Sequence, residues 1–336
     1  MRRSAFLSVT TLLSCIYIEK ITAAPSSSSV TSIVAPVSKS MRGQVLGLYW
    51  TQKDVLNANG EVKEYKKDIP LGMKEMLAAY KRDFMNEEGS AVNYKAISSS
   101  PLFEEYKSFA RSLSTLNLPQ LTQAEKMSFF INTYNMLTIH GLVEGKLVEN
   151  KIARFIIGPI SARLRFYASM SYNIGGYIFS LNDIEGGVLR GNKKAAAPLS
   201  VMPFDSKDAR LAFVLPCDAR IHFALNCGAK SCPPIRAYSP EAAALEKELD
   251  EATTTFISRT STVDLANKKV TLSMLFKWYQ DDFGSGEFAV LDWIRSHASG
   301  TEVGKQMSSL LDQNPGGEGV TVEYATYDWG LNDLVL

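Results

Sequence analysis

The stretch TQAEKMSFFINTYNMLTIHGL, Thr122 to Leu142, decides how the chain is read. Thr122 followed by Glu125 is a capping box, in which each side chain takes a backbone N–H that the first helical turn leaves unpaired. Met127, Phe130, Ile131, Tyr134, Leu137 and Leu142 then recur at helical spacing, and Gly145 offers a stop. The pattern predicts one long helix. Within it Asn132 and Asn135 stand one turn apart among apolar neighbours. A buried amide is costly unless hydrogen-bonded. The pair is therefore expected either to clamp neighbouring loops or the Gly175-Gly176 turn, or to contact a substrate amide or oxyanion.

Working outward, Ser100-Pro101 places a cap and an N1 proline before a second helix carrying Phe103, Tyr106, Phe109 and Leu113. Ser239-Pro240-Glu241 opens another, with Leu245, Leu249, Ala252 and Phe256 on one face. Met274 to Gln280 and Phe288 to His297 complete the helical set. Tyr172 to Ser180 reads as a hairpin turning at Gly175-Gly176, and Val263 to Leu272 as a second around Asn267 and Lys268. Ala219 to Leu225 reads as a compact strand, and Val320, Val322 and Tyr324 alternate as in a strand. Strands do not alternate regularly with helices, so a doubly wound sheet is not expected. The fold class is α+β: a helix-rich single domain with a small, largely antiparallel sheet.

The chain has 336 residues, 46% of them hydrophobic, and 36 basic against 35 acidic residues. That length supports a sizeable core, and the balanced charge argues against a nucleic-acid partner. No repeat of solenoid length is evident. Residues 1–24 read as a signal peptide: a basic start at Arg2 and Arg3, an apolar run from Ala5 to Ile18, and small residues at Ala23 and Ala24. That run is too short for a membrane span. Residues 25–50 are Ser-rich and free of acidic residues, which is the composition of a linker or of a transit segment. The address is thus expected to be the secretory route, with a plastid reached by a two-part signal, or a mitochondrion, as alternatives. Residues 51–336 are expected to form one globular domain.

Three segments together resemble a known family: EKMSFFINTYNMLTIHGL (Glu125 to Leu142), IGGYIFSLNDIEGGVLR (Ile174 to Arg190) and ARIHFALNCGAKSCPPIRAY (Ala219 to Tyr238). In this order they are similar to the domain of unknown function numbered 547, over about residues 118–256. LFKWYQDDFG (Leu275 to Gly284) and YDWGLN (Tyr327 to Asn332) share the resemblance. Gly186 stands where the family pattern implies a histidine, which argues against a catalytic histidine in that short helix. The resemblance implies no particular reaction.

The chain holds three histidines, His140, His222 and His297. His297 and His140 lie in the last turns of helices, where a structural or capping role suffices, with His140 retained as a binding candidate. On a strand, His222, Ala224 and Asn226 would share one face, leaving room for a ligand beside Asn226. His222 is therefore the candidate general base of a hydrolase or acyl/amide transferase. Cys227 or Cys232 would be the nucleophile, and Asn132, Asn135 or Asp183 the orienting group. Asp183 and Glu185 after Ser180 are also explained by capping alone. The polar face of the His222 segment is expected to lie against Asn132 and Asn135. The rival reading is a non-catalytic binding or scaffold domain in which the same residues lock a loop to the core. The partner would be a small molecule or peptide, and no cofactor is indicated.

Beyond the leader, three cysteines remain: Cys217, Cys227 and Cys232. In an oxidising compartment Cys227 and Cys232 are the expected pair, leaving Cys217 free. The spacing is not Cys-x-x-Cys, so thioredoxin-like catalysis is not indicated. Nor do Cys217, His222, Cys227 and Cys232 match a zinc spacing. Asp282-Phe283-Gly284 matches a kinase triplet without the other kinase motifs, and Gly141 to Leu147 lacks P-loop spacing.

Overall fold

The computed structural model describes residues 53–62, 65, 68–144, 166–194 and 202–335, all within one compact unit, Leu46–Leu336. The signal-peptide and Ser-rich segments expected at 1–24 and 25–50 lie outside the described residues, as does Gly145. The principal helices are α1 (Ile69–Phe84), α2 (Tyr94–Ser98), α3 (Pro101–Ser112), α4 (Gln123–Glu144), α5 (Ala242–Thr260), α6 (Met274–Trp278), α7 (Gln280–Phe283), α8 (Gly286–His297) and α9 (Glu302–Gln313). Among the described residues, no helix is long and apolar enough to cross a membrane.

The caps form as the sequence requires. Thr122 N donates to Glu125 Oε2 at 2.7 Å and Glu125 N to Thr122 Oγ1 at 3.2 Å, closing the capping box of α4. Ser100 caps α3 ahead of Pro101. Glu241 caps α5, two positions beyond Ser239. Helices α1 and α9 were not expected from the sequence. Asp68 and Thr301 cap them, and both carry buried residues at helical spacing, Met73, Leu77 and Tyr80 in α1 and Met307, Leu310 and Leu311 in α9.

The strands form two three-stranded sheets rather than one, each a hairpin plus a parallel partner. In the first, β2 (Met170–Ile174) and β3 (Tyr177–Ser180) are antiparallel, and β1 (Asp54–Val55) lies parallel to β2. Gly175 (φ 58°) and Gly176 (φ 87°) supply the two left-handed residues that a two-residue hairpin turn needs. In the second, β4 (Thr262–Asp264) and β5 (Lys269–Leu272) are antiparallel, and β6 (Thr321–Tyr324) runs parallel to β5.

Two apolar clusters result. The larger surrounds α4, whose residues from Ser128 to Leu142 are all buried; α1 and β2 pack on it. The smaller is built from α5, α8, α9 and β5. The segment expected as a strand is instead a 3₁₀ turn, Ala219–Phe223, capped by Asp218. Its Ile221, with Ala224 and Leu225 just beyond, enters the larger cluster, while Ala219 and Phe223 enter the smaller. The alternation of Ile221, Phe223 and Leu225 imitated a strand because this short piece is buried on both sides, at the seam of two cores.

Candidate functional site

The turn buries His222, which is 3% exposed. Its Nε2 lies 2.8 Å from Asp282 Oδ2, and its ring stacks on Tyr279 at 3.9 Å between centroids. Burial lowers the imidazole below its ordinary range, outweighing the hydrogen bond to Asp282, which works the other way. The ring is therefore neutral near pH 7, and Nε2 donates to the carboxylate. Asp282 also accepts from Arg190 Nε at 2.6 Å and Lys193 Nζ at 2.9 Å. Burial alone would raise its carboxyl; the hydrogen bonds from His222, Arg190 and Lys193 hold it well below the usual carboxylate range.

Arg190 ends a π-helical turn, Asp183–Leu189, a geometry that recurs at functional sites. The turn presents Glu185 to two phenols: Tyr279 donates to Oε1 at 2.6 Å and Tyr134, on α4, to Oε2 at 3.1 Å. Burial raises both phenols well above their usual range, so both remain donors. Tyr279 thus joins the two groups, stacked on His222 and bonded to Glu185, with the Arg190 guanidinium 4.8 Å from its ring.

The cysteine loop follows. Cys227 N donates to Cys232 Sγ at 3.1 Å, and the Tyr327 hydroxyl lies 3.2 Å from Cys232 Sγ and 3.8 Å from Cys227 Sγ. The two cysteines approach to 2.6 Å and are not bridged; Cys217, Cys227 and Cys232 are all free thiols. Cys227 is half-buried and Cys232 buried. A hydrogen bond from Cys232, aided by Ala229 N–H, Tyr167 and Tyr327, draws the Cys227 thiol down to about 7 against the opposing effect of burial. Burial pushes Cys232 well up, and burial together with the Asp282 charge raises Cys217. The charge of Cys227 acts on Tyr134 and Tyr279, so thiol and carboxylate share one neighbourhood. Trp278, Tyr327 and Trp329 pack on one another at tilted angles beside it, half-buried.

The asparagines hold this loop in place. Asn135 donates through Nδ2 to Ala224 O at 2.9 Å and accepts through Oδ1 from Asn226 N at 2.8 Å. Asn132 does the same for Tyr238, at 2.8 and 2.9 Å. One turn of α4 therefore pins both ends of the segment from Ala224 to Tyr238. Asn226 closes the loop itself, donating to Pro233 O at 2.7 Å and accepting from Gly228 N at 2.9 Å. The C-terminal stretch lies along it, with Lys230 N on Gly330 O, Asn332 N on Gly228 O and Ala229 bridged antiparallel to Leu331.

The sequence candidates sort accordingly. The His222 segment meets Asn135, through Ala224 O, whereas Asn132 grips Tyr238 and the imidazole goes to Asp282. Asn226 points into the loop rather than alongside His222. His140 is a core residue, with Nδ1 2.7 Å from the Tyr172 hydroxyl and its ring edge-on to Phe103 and Tyr106. Asp183 serves Ser180, Lys53 and Arg210 and is not the partner of His222. Among the described residues, no group of three or more His, Cys, Asp and Glu side chains is placed to hold a metal ion. Sequence reasoning missed Asp282, Tyr279, Arg190 and Glu185. Asp282 and Tyr279 fall in the Leu275 to Gly284 stretch that shares the family resemblance, and Asp282 also in the kinase-like triplet, but neither context points to a histidine partner. Nor is His222 in an open pocket: a cavity of about 630 Å³ lies elsewhere, between Lys81, Glu88, Arg236, Glu248 and Arg259.

No curated protein and no solved structure matches the chain. Residues 118–257 match the family model for the protein of unknown function DUF547. That stretch runs from just before α4 through most of α5. It contains the asparagine clamps, the π-helical turn, His222 and the cysteine loop, while Asp282 and Tyr327 come from the residues that follow. The chain is a DUF547 domain-containing protein.

Proposed function

We propose that the domain is a thiol-dependent hydrolase or acyl/amide transferase with Cys227 as nucleophile. The observation that carries this reading is the environment of Cys227: half-buried, with hydrogen bonds from Cys232, Ala229 N–H, Tyr167 and Tyr327 that favour its thiolate near neutral pH. The role given to His222 changes with it. A neutral ring bonded to Asp282 and stacked on Tyr279 has the position of a support, holding the phenol that donates to Glu185. The test is acylation by an activated ester such as p-nitrophenyl acetate, read by intact mass and peptide mapping. An acetyl thioester on Cys227, absent from Cys227→Ser, is expected. Acetylation confined to lysines would refute the reading.

A second reading, a non-catalytic binding or scaffold domain, draws support from saturation of the polar groups. Asn132, Asn135, Asn226 and Asp282 each spend their hydrogen bonds on this chain. Unmodified Cys227 in the acylation experiment favours it. For the compartment, the leader composition supports secretory entry, and N-terminal sequencing of the native protein tests it: an intact Met1 would exclude cleavage.

A further inference from the structure

We infer that Cys227 and Cys232 form a reversible dithiol–disulfide couple in which Cys227 reacts first with a low-molecular-weight disulfide and Cys232 resolves it. The two side chains approach to 2.6 Å as free thiols, beyond the roughly 2.05 Å of a sulfur–sulfur bond. The loop is already closed around them. Asn226 ties Pro233 O to Gly228 N, and Cys227 N donates to Cys232 Sγ. Bridging therefore requires little backbone movement. Tyr327 stands over both sulfurs. The thiols differ in access: Cys227 is half-buried and open to a small oxidant, whereas Cys232 is 8% exposed.

The exchange balances without a metal or cofactor. The Cys227 thiolate attacks one sulfur of the small disulfide, forming a mixed disulfide and expelling one thiolate. Cys232 gives up its proton to that leaving group, and its sulfur attacks Cys227 Sγ. The protein disulfide forms and the second small thiolate leaves. Two protein thiols are oxidised and one small disulfide is reduced to two thiols, the second taking up from solvent the proton that Cys227 had released. Cys217 has no part, since its contacts are with the Lys193 and Asp282 cluster. The couple stands on the loop geometry; its consequence, that oxidation silences an acyl-transfer nucleophile, rests on the reading in the previous subsection.

The experiment is equilibration of the full chain in oxidised and reduced glutathione buffers, followed by alkylation and peptide mapping. We expect a Cys227–Cys232 bridge that dithiothreitol reverses, with Cys217 alkylated throughout. Cys232→Ser should trap glutathione on Cys227, and Cys227→Ser should lose the reaction. A bridge involving Cys217, or glutathione accumulating on wild-type Cys227 without bridging, would overturn the couple. The acyl-transfer reading fails separately, if p-nitrophenyl acetate leaves reduced Cys227 unmodified while the bridge still forms.

Discussion

His222 Nε2 donates to Asp282 Oδ2 across 2.8 Å, and neither side chain meets solvent beyond 1% of its surface. The pair ties the 3₁₀ turn at the core seam to helix α7, and so joins the portion matched by the family model to the residues after it. Arg190, itself buried, completes a triad of one anion between a cation and a neutral ring.

Asp282→Ala leaves the Arg190 guanidinium buried without its carboxylate. Breaking a buried pair from one side costs about 3–5 kcal/mol, and urea unfolding is expected to show a loss of that size. A loss below 1 kcal/mol would show that the pair is not structural.

His140 sets an acid limit. Burial, with Lys107 nearby, lowers its imidazole from 6.5 to about 3. The folded state holds it neutral while the unfolded chain protonates it. Its contribution is thus present above about pH 6.5 and is lost as pH falls toward 3, at roughly 1.4 kcal/mol per unit. Burial lowers His222 as well, so it acts in the same direction. Urea unfolding from pH 7 to 4 should show this slope, and His140→Leu should flatten it. An unchanged slope in the variant would rule the assignment out.

Asn135→Leu removes one donor and one acceptor at a fully buried position, stranding Ala224 O and Asn226 N. At roughly 1–3 kcal/mol for each of the two unsatisfied groups, a loss of about 2–6 kcal/mol is expected, with faster alkylation of Cys227 as the loop loosens. Protection of Cys227 equal to wild type would show that the clamp does not govern the loop.

The alkylation rate of Cys227 should rise through an inflection near pH 7, with Cys217 lagging at every pH. Cys232→Ala removes the largest cause of the lowered value and should move the inflection upward. Iodoacetamide labelling by peptide decides it; a wild-type inflection at 9 would contradict the described hydrogen bonding.

The parts of this fold legible in the sequence were those with local signals. Thr122 and Glu125 wrote the start of α4, Gly175-Gly176 the hairpin, and Asn132 with Asn135 announced buried amides in need of partners. The missed parts depend on distant pairing. Nothing local to Asp282 says that His222, 60 positions earlier, will meet it. Ala219 to Leu225 misled because a short segment between two cores is apolar on both sides and carries no period of its own. The β6 strand was legible from the alternation of Val320, Val322 and Tyr324, but its parallel pairing with β5, and the addition of β1, were not: a hairpin advertises itself through its turn, whereas a parallel partner arrives from far along the chain.

The segment from Tyr327 to Asn332 seals the cysteine loop, and it lies within the last ten residues of the chain. A growing polypeptide supplies Tyr327 only 95 positions after Cys232. The thiols, the asparagine clamps and His222 all emerge earlier, so the nascent protein carries an uncovered pair of sulfurs until that segment has been made. A nonsense mutation shortly before Tyr327 would therefore release a product with that pair bare to whatever oxidant its surroundings hold.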